Sequence, residues 1–352
     1  MSPRWYLVAY IVPFFAILSL LVGGWFVFFI PLFLFGFCPL AELLTRGSDA
    51  NPSPSEEAEI KQNRLYDYLL YGMVPAQYAL FATLIWQACS GAYTYAELFG
   101  ATVSIGICGG SVGINVAHEL GHRKKRYEQV LAKAMLLTVL YMHFFIEHNR
   151  GHHARVATDE DPASARKGEI VYFFIVRSVV MGIVSAWHLE ADRLRRLGKS
   201  TLSLSNEMLR MVLIEVGTVG AVAFFAGPLA TACAVTAAGV SIVILEAVNY
   251  IEHYGLRRER NDRGRWEAVQ PAHSWNSNHT LGRILLFELT RHSDHHAYPT
   301  RKYPLLRHHE EAPQLPTGYP GMILLSLLPP LYFYVMHKRL AQWQGMDAAK
   351  AI

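Results

Sequence analysis

Residues 5–44 read WYLVAYIVPFFAILSLLVGGWFVFFIPLFLFGFCPLAELL and carry a single charge, Glu42. The run is about twice as long as a helix needs to cross the hydrocarbon core of a bilayer. Gly23-Gly24 sits near its middle, so it reads as two spans, about 5–22 and 25–44. A signal peptide does not fit, because the apolar run is too long and no small-residue cleavage site follows it.

Further apolar runs lie at about 67–89, 94–117, 208–226 and 229–250, with Gly91 and Gly227-Pro228 at the turns. The pattern predicts an all-α membrane protein: six transmembrane helices in three hairpins, with a helical and loop cytoplasmic cap carrying the histidines described below. Residues 1–352 read as a single integral membrane domain whose cap segments are about 118–207 and 251–352. The stretches 130–146 and 170–188 are apolar but interrupted by His, Glu and Arg, and read as half-buried or interfacial helices. The run 321–336 is short and contains Pro329-Pro330, so it is expected not to cross.

The tight loops near 23, 91 and 227 hold no Lys or Arg. The other side holds Arg46, Lys61, Arg64, the run Arg123-Lys124-Lys125-Arg126, Arg193, Arg195, Arg196, Lys199, Arg257 and Arg258. The positive-inside rule then puts both termini and all long loops in the cytoplasm. The same basic face suits an acidic protein partner as well as orientation; no nucleic acid is expected. Only 17% of residues are charged, against about 25% in soluble proteins, which excludes disorder and coiled coil. Cys38, Cys89, Cys108 and Cys233 lie in apolar stretches without a CxxC, which excludes a disulfide scaffold, a zinc ribbon and a built-in rubredoxin-type iron site.

Four clusters hold nine of the sixteen histidines: His118-Glu119-Leu120-Gly121-His122, Glu147-His148-Asn149-Arg150-Gly151-His152-His153, Asn249 to Gly255 around His253, and Arg291-His292-Ser293-Asp294-His295-His296. Residues four apart share a helix face, so His118 and His122 can grip one metal, and His292, His295 and His296 span about 100° of arc. His153 lies about 140° from His148 on a regular helix. It therefore faces a second metal, or the helix breaks near Gly151. All four clusters fall on the proposed cytoplasmic side, and nine imidazoles exceed the needs of one ion.

Imidazole suits zinc, copper, iron and nickel. Zinc is satisfied by four ligands, whereas many neutral nitrogens around two ions suit six-coordinate iron. The carboxylates Glu119, Glu147, Asp161, Glu252 and Asp294 are expected to accept the free ring N–H of a ligand histidine and fix its tautomer. Each can equally be a charge pairing with Arg123, Arg150 or Arg291. His118–His122 alone matches the HExxH of zinc proteases, with Glu119 as base, but that reading leaves seven clustered histidines unused. A metal transporter would carry its ligands near the midplane instead.

HELGH, EHNRGHH, NYIEHYGL and LTRHSDHH resemble the signature boxes of the membrane-bound alkane 1-monooxygenases, and the run Asn249 to Leu256 separates that family from the desaturases that share the general histidine layout. The resemblance covers about residues 5–310. It implies two non-haem iron ions held by His118, His122, His148, His152, His153, His253, His292, His295 and His296. It also implies oxygen-dependent terminal hydroxylation of medium-chain alkanes, rubredoxin as electron donor, and a bacterial inner membrane location. Related fatty-acyl desaturases and aryl-methyl hydroxylases are the alternatives. Arg123 stands where the family usually has Lys, which keeps the charge. An alkane enters from lipid through an apolar channel, and one of Phe33, Phe35 or Phe37 in the aromatic second span is expected to close it; packing or lipid-facing aromatics are the alternative.

Overall fold

The computed structural model describes residues 1–350. The described residues are almost wholly helical, with two isolated bridges, Arg260–Trp266 and Asn276–Gln314, and no strand. Six helices are long and apolar enough to cross a membrane: α1 (Pro3–Val22), α2 (Gly24–Leu44), α3 (Leu65–Ser90), α4 (Tyr95–Gly121), α5 (Val171–Arg196) and α6 (Glu207–His253).

The 47 residues of α6 are not one rod. Gly227 takes φ 80° and ψ 177°, a left-handed-side conformation open to glycine, and Pro228 follows it. The two arms then lie side by side, with Val222 and Ala234 lining one groove. The expected six spans therefore correspond to α1 to α4 and the two arms of α6.

Helix α5 is the addition. It has the length and composition of a span, but both its ends are tied to the same end of the bundle. Just before it starts, the Glu169 carbonyl accepts from Tyr250 Oη (2.6 Å); near its C-terminus, Glu190 accepts from the Glu207 backbone N–H (2.7 Å). Tyr250 and Glu207 lie near the two ends of α6, and the turn at Gly227 brings those ends to one side. Helix α5 thus has both its ends at one end of the bundle.

The tight turns cluster at the opposite end. Thr94 and Glu97 form a capping box at the start of α4, and Glu97 Oε1 also accepts from the Gly24 N–H (2.7 Å). Cys89 beside the Gly91 turn reaches the Ala226 carbonyl beside Gly227 (3.4 Å). Helix α4 is the central member: 83% of its apolar window is buried, and Ser241 of α6 donates to its Gly106 carbonyl (2.9 Å).

The α-helical hydrogen-bond pattern widens to a π turn at three places among the described residues: Phe33–Phe37 in α2, Gly109–Gly113 in α4, and His148–His152. Such turns concentrate at functional sites, and all three border the cavities described next. The run 321–336 is split between two helices, Tyr319–Ser326 and Pro329–Lys350, and neither is among the six candidate spans.

Candidate metal centre

The end of α4 supplies His118 and His122. The chain then forms a helix, Arg126–Thr138, turns through Leu140 (φ 50°), and enters Phe144–Glu147, which runs into the π turn His148–His152. The end of α6 supplies His253, and the helix His292–Ala297 supplies the last three.

All nine predicted histidines meet, in two groups. His118, His122, His148, His153 and His295 form one, and His152, His253, His292 and His296 the other; within each, the facing side-chain nitrogens lie within 4.8 Å of one another. Nε2 of His148 is 3.1 Å from that of His122 and 3.0 Å from that of His153. Nε2 of His295 is 3.2 Å from that of His153, and the Nε2 atoms of His292 and His253 are 3.3 Å apart. Two nitrogens each about 2.1 Å from one ion lie about 3.0 Å apart at a right angle and about 3.4 Å apart at the tetrahedral angle. The spacing is therefore that of ligands around an ion. His118, His152 and His296 each have a buried Nε2 with no hydrogen-bond partner, which fits the same occupant.

The sorting differs from helical arithmetic. His148 and His153 join one group because the π turn, with its i to i+5 pattern, brings them to one face. The helix departs from regularity around Gly151 instead of pointing His153 at the second ion. In the last cluster, His292 and His296 converge as an i, i+4 pair, while His295 turns to the other group.

The rings are prepared as neutral ligands. Burial, with the charge of His152 adding, pushes His122 down to about 3. Burial and then neighbouring imidazoles hold His148, His153, His292, His295 and His296 well below the ordinary imidazole range. A neutral imidazole offers the lone pair a metal requires. His152 goes the other way: burial is the largest influence and opposes its charge, but the carboxylates of Asp161, Glu147 and Glu246 together outweigh it.

The five candidate carboxylates part company. Asp161 accepts from Nδ1 of His152 (2.9 Å) and is itself held by Ser164 Oγ (2.6 Å), so it fixes the orientation of that ring. Glu252 does not take up an outer ring nitrogen. Its Oε2 is 3.1 Å from Nε2 of His292, the nitrogen that also faces His253, while Oε1 accepts from Tyr319 Oη (2.7 Å). It stands on the ion side of the four-histidine group. Glu119 pairs with Arg123 (2.7 Å) and Glu147 with Arg155 (2.7 Å). Asp294 pairs with Arg301 and, at 2.6 Å, with His309. These three carboxylates are buried and are spent on ion pairs with side chains outside the two histidine groups. Arg155, Arg301, His309 and Tyr319 were not singled out from sequence; they lie far along the chain from the carboxylates they meet or outside any motif.

Two cavities flank the histidines. An apolar cleft runs beside α2, α4 and the second arm of α6, and reaches His118, His148 and His292. Phe35 lines it. Phe33 and Phe37 do not: they continue a face-on stack from Phe29, with ring centroids 5.7 and 5.6 Å apart, and Phe37 is 58% exposed. The second cavity is small, bordered by the polar side chains of Tyr141, His143, Glu147 and Glu246, and reaches His148 and His152. Glu246, a charge inside an apolar span, was a visible signal that sequence reading passed over.

A multi-pass membrane protein with nine histidines converging in two groups, open to an apolar cleft, defines a membrane-embedded non-haem metal enzyme. The comparisons with known proteins agree. The family profile of the fatty acid desaturases matches residues 94–326. Alkane 1-monooxygenase 1 of Alcanivorax borkumensis is 40% identical over 329 residues, covering 93% of this chain and 81% of that protein. Alkane 1-monooxygenase of Ectopseudomonas oleovorans is 39% identical over 93% of this chain and 82% of its own length. The xylene/toluene monooxygenase hydroxylase component XylM of Pseudomonas putida is more distant, at 28% over 79% of this chain and 74% of its own. The chain belongs to the alkane 1-monooxygenases, a histidine-box family within the wider desaturase group.

Proposed function

We propose that this chain hydroxylates the terminal carbon of medium-chain n-alkanes, giving primary alcohols, with oxygen as co-substrate and rubredoxin as electron donor. The cofactor is two non-haem iron ions, one in each histidine group. The observation that carries the reading is the apolar cleft that reaches His118, His148 and His292, because these rings come from both groups. A hydrocarbon has no polar handle, so only shape and water exclusion can position it.

When bound, the iron pair supplies the redox chemistry that activates oxygen and breaks the C–H bond. The protein does the rest. Leu34, Phe35, Ile114 and Ile244 hold the chain and exclude water. Asp161 fixes the tautomer of His152 by accepting its Nδ1–H. Tyr319 holds Glu252 at the inner side of His292. The polar cavity gives water and protons an approach separate from the hydrocarbon, since it meets the cleft only at Phe144, His148 and Asn249.

Residues 1–352 form one integral domain of a bacterial inner membrane, with both termini and the metal centre cytoplasmic. The basic residues gathered on the histidine side support this orientation. The test is product analysis with the purified protein in nanodiscs, loaded with iron, given reduced rubredoxin, isotopically labelled oxygen and octane. Labelled octan-1-ol is expected. A double bond in an acyl chain, or turnover confined to xylene methyl groups, would assign the chain to a related chemistry.

A further inference from the structure

Glu42 lies near the C-terminal end of α2, is 1% exposed and lines the apolar cleft. Neither of its carboxyl oxygens makes a well-formed hydrogen bond, although the Gly282 backbone N–H faces the group, and among the described residues it is the only buried carboxyl group without a well-formed bond. The niche around it is built. A Cβ on Gly282 would come 2.9 Å from Oε1, and one on Gly318 would collide with the same carboxyl group. Gly318 precedes Tyr319, whose hydroxyl is bonded to Glu252, and Glu252 lies 3.1 Å from His292 Nε2. Glu42 therefore sits at the metal end of the cleft, on a helix that contributes no histidine.

An alkane offers this group nothing. A primary alcohol does: a carboxyl oxygen accepts from a hydroxyl in either protonation state, and the acid form also donates. Burial without a partner is unfavourable, and a hydroxyl relieves it. We infer that Glu42 is a hydroxyl-binding group and that the cleft takes aliphatic primary alcohols as ligands through it. The inference rests on the reading of the cleft as the hydrocarbon site. It makes the alcohol a competitor of the alkane, anchored by its hydroxyl on the α2 wall.

The experiment is equilibrium binding of radiolabelled octane and octan-1-ol to the full-length protein in nanodiscs, with protein-free nanodiscs subtracted. Glu42→Leu is expected to weaken octanol binding about fivefold, the size of one hydrogen bond, while octane binds as well or better. Glu42→Gln keeps an acceptor and is expected to retain most of the octanol affinity. Equal octanol binding by wild type and Glu42→Leu overturns the inference. Failure of octane to bind any of the three proteins overturns the cleft reading instead, and the octanol comparison still decides Glu42. If Glu42→Leu does not fold, infrared difference spectra of the wild type decide. Octanol should shift a carboxyl band that Glu42→Gln lacks, octane should not, and the absence of any such shift overturns the inference.

Discussion

His148 and His153 are five residues apart in the chain, and their Nε2 atoms are 3.0 Å apart in space. On a regular helix they would diverge by about 140°. The π turn His148–His152 removes that divergence and leaves His152, the residue between, aimed at the other group. One local change in winding thus divides three neighbouring histidines between the two groups.

Gly151 leaves room beside the turn for the Glu147–Arg155 ion pair: a Cβ there would press on the side-chain ends of Arg155, Glu147 (Oε1 at 2.5 Å) and Leu189 (Cδ1 at 3.0 Å) and displace that pair. Overpacking of this kind typically destabilises by about 1–3 kcal/mol. Gly151→Ala should lower both thermal stability and metal content, since it bears on His148, His152 and His153 together. Metal analysis of the folded fraction checks this; full loading in that variant would mean that the turn does not depend on the glycine.

Asp161 is the carboxylate that meets the outer ring nitrogen, Nδ1, of a histidine in the two groups. Losing such a partner typically weakens metal affinity about 10–100-fold. Asp161→Ala should weaken retention of the ion held by His152, while Asp161→Asn, which keeps an acceptor, should lose less. Competition with a chelator, read ion by ion, measures it. Identical retention by wild type and Asp161→Ala would remove Asp161 from the account.

The cleft makes the chain-length prediction asymmetric. Phe35 borders the empty space, whereas Phe33 and Phe37 stack away from it. Phe35→Ala should raise the dodecane-to-octane activity ratio by at least about tenfold, the scale set by a few apolar groups in a binding pocket. Phe37→Ala should leave the ratio where it is. The reverse pattern would place the end of the cleft elsewhere.

Electrostatic docking of an acidic electron donor depends on exposed charge. Of the run Arg123 to Arg126, Arg123 is buried between Asp67 (3.1 Å) and Glu119 (2.7 Å), and the other three are exposed. At limiting rubredoxin, turnover should fall as salt rises, and Lys124→Glu with Lys125→Glu should flatten that dependence with iron content unchanged. Salt dependence identical to wild type in the double variant would exclude this patch as the docking surface.

The histidine boxes were legible in the sequence because ligand spacing and topology are both local patterns: pairs at i and i+4, placed at the ends of apolar runs. What stayed hidden depended on contacts between distant segments or on helix winding. The π turn at His148–His152 decides which group each ring joins, and no residue in it announces an extra hydrogen-bonded atom ring. The π turn at Phe33–Phe37 likewise shifts the register of α2, so Phe35 alone of the three reaches the cleft. Glu252 was visible, but its side of the ring was set by Tyr319, 67 residues away. Helix α5 has the composition of a span, and only its ties to Glu207 and Tyr250 reveal that both its ends lie at one end of the bundle.

Two histidine groups call for two iron ions, one in each. The most direct measurement is metal content joined to Mössbauer spectroscopy on the iron-loaded protein and on His253→Ala. About two iron ions per chain are expected in wild type, with two distinguishable sites because one group has five histidines and the other four. In His253→Ala a fall toward one is expected, with the signal of the five-histidine site kept. A single iron per chain in fully active wild type, or equal loss of both signals in a well-folded His253→Ala protein, would contradict that assignment.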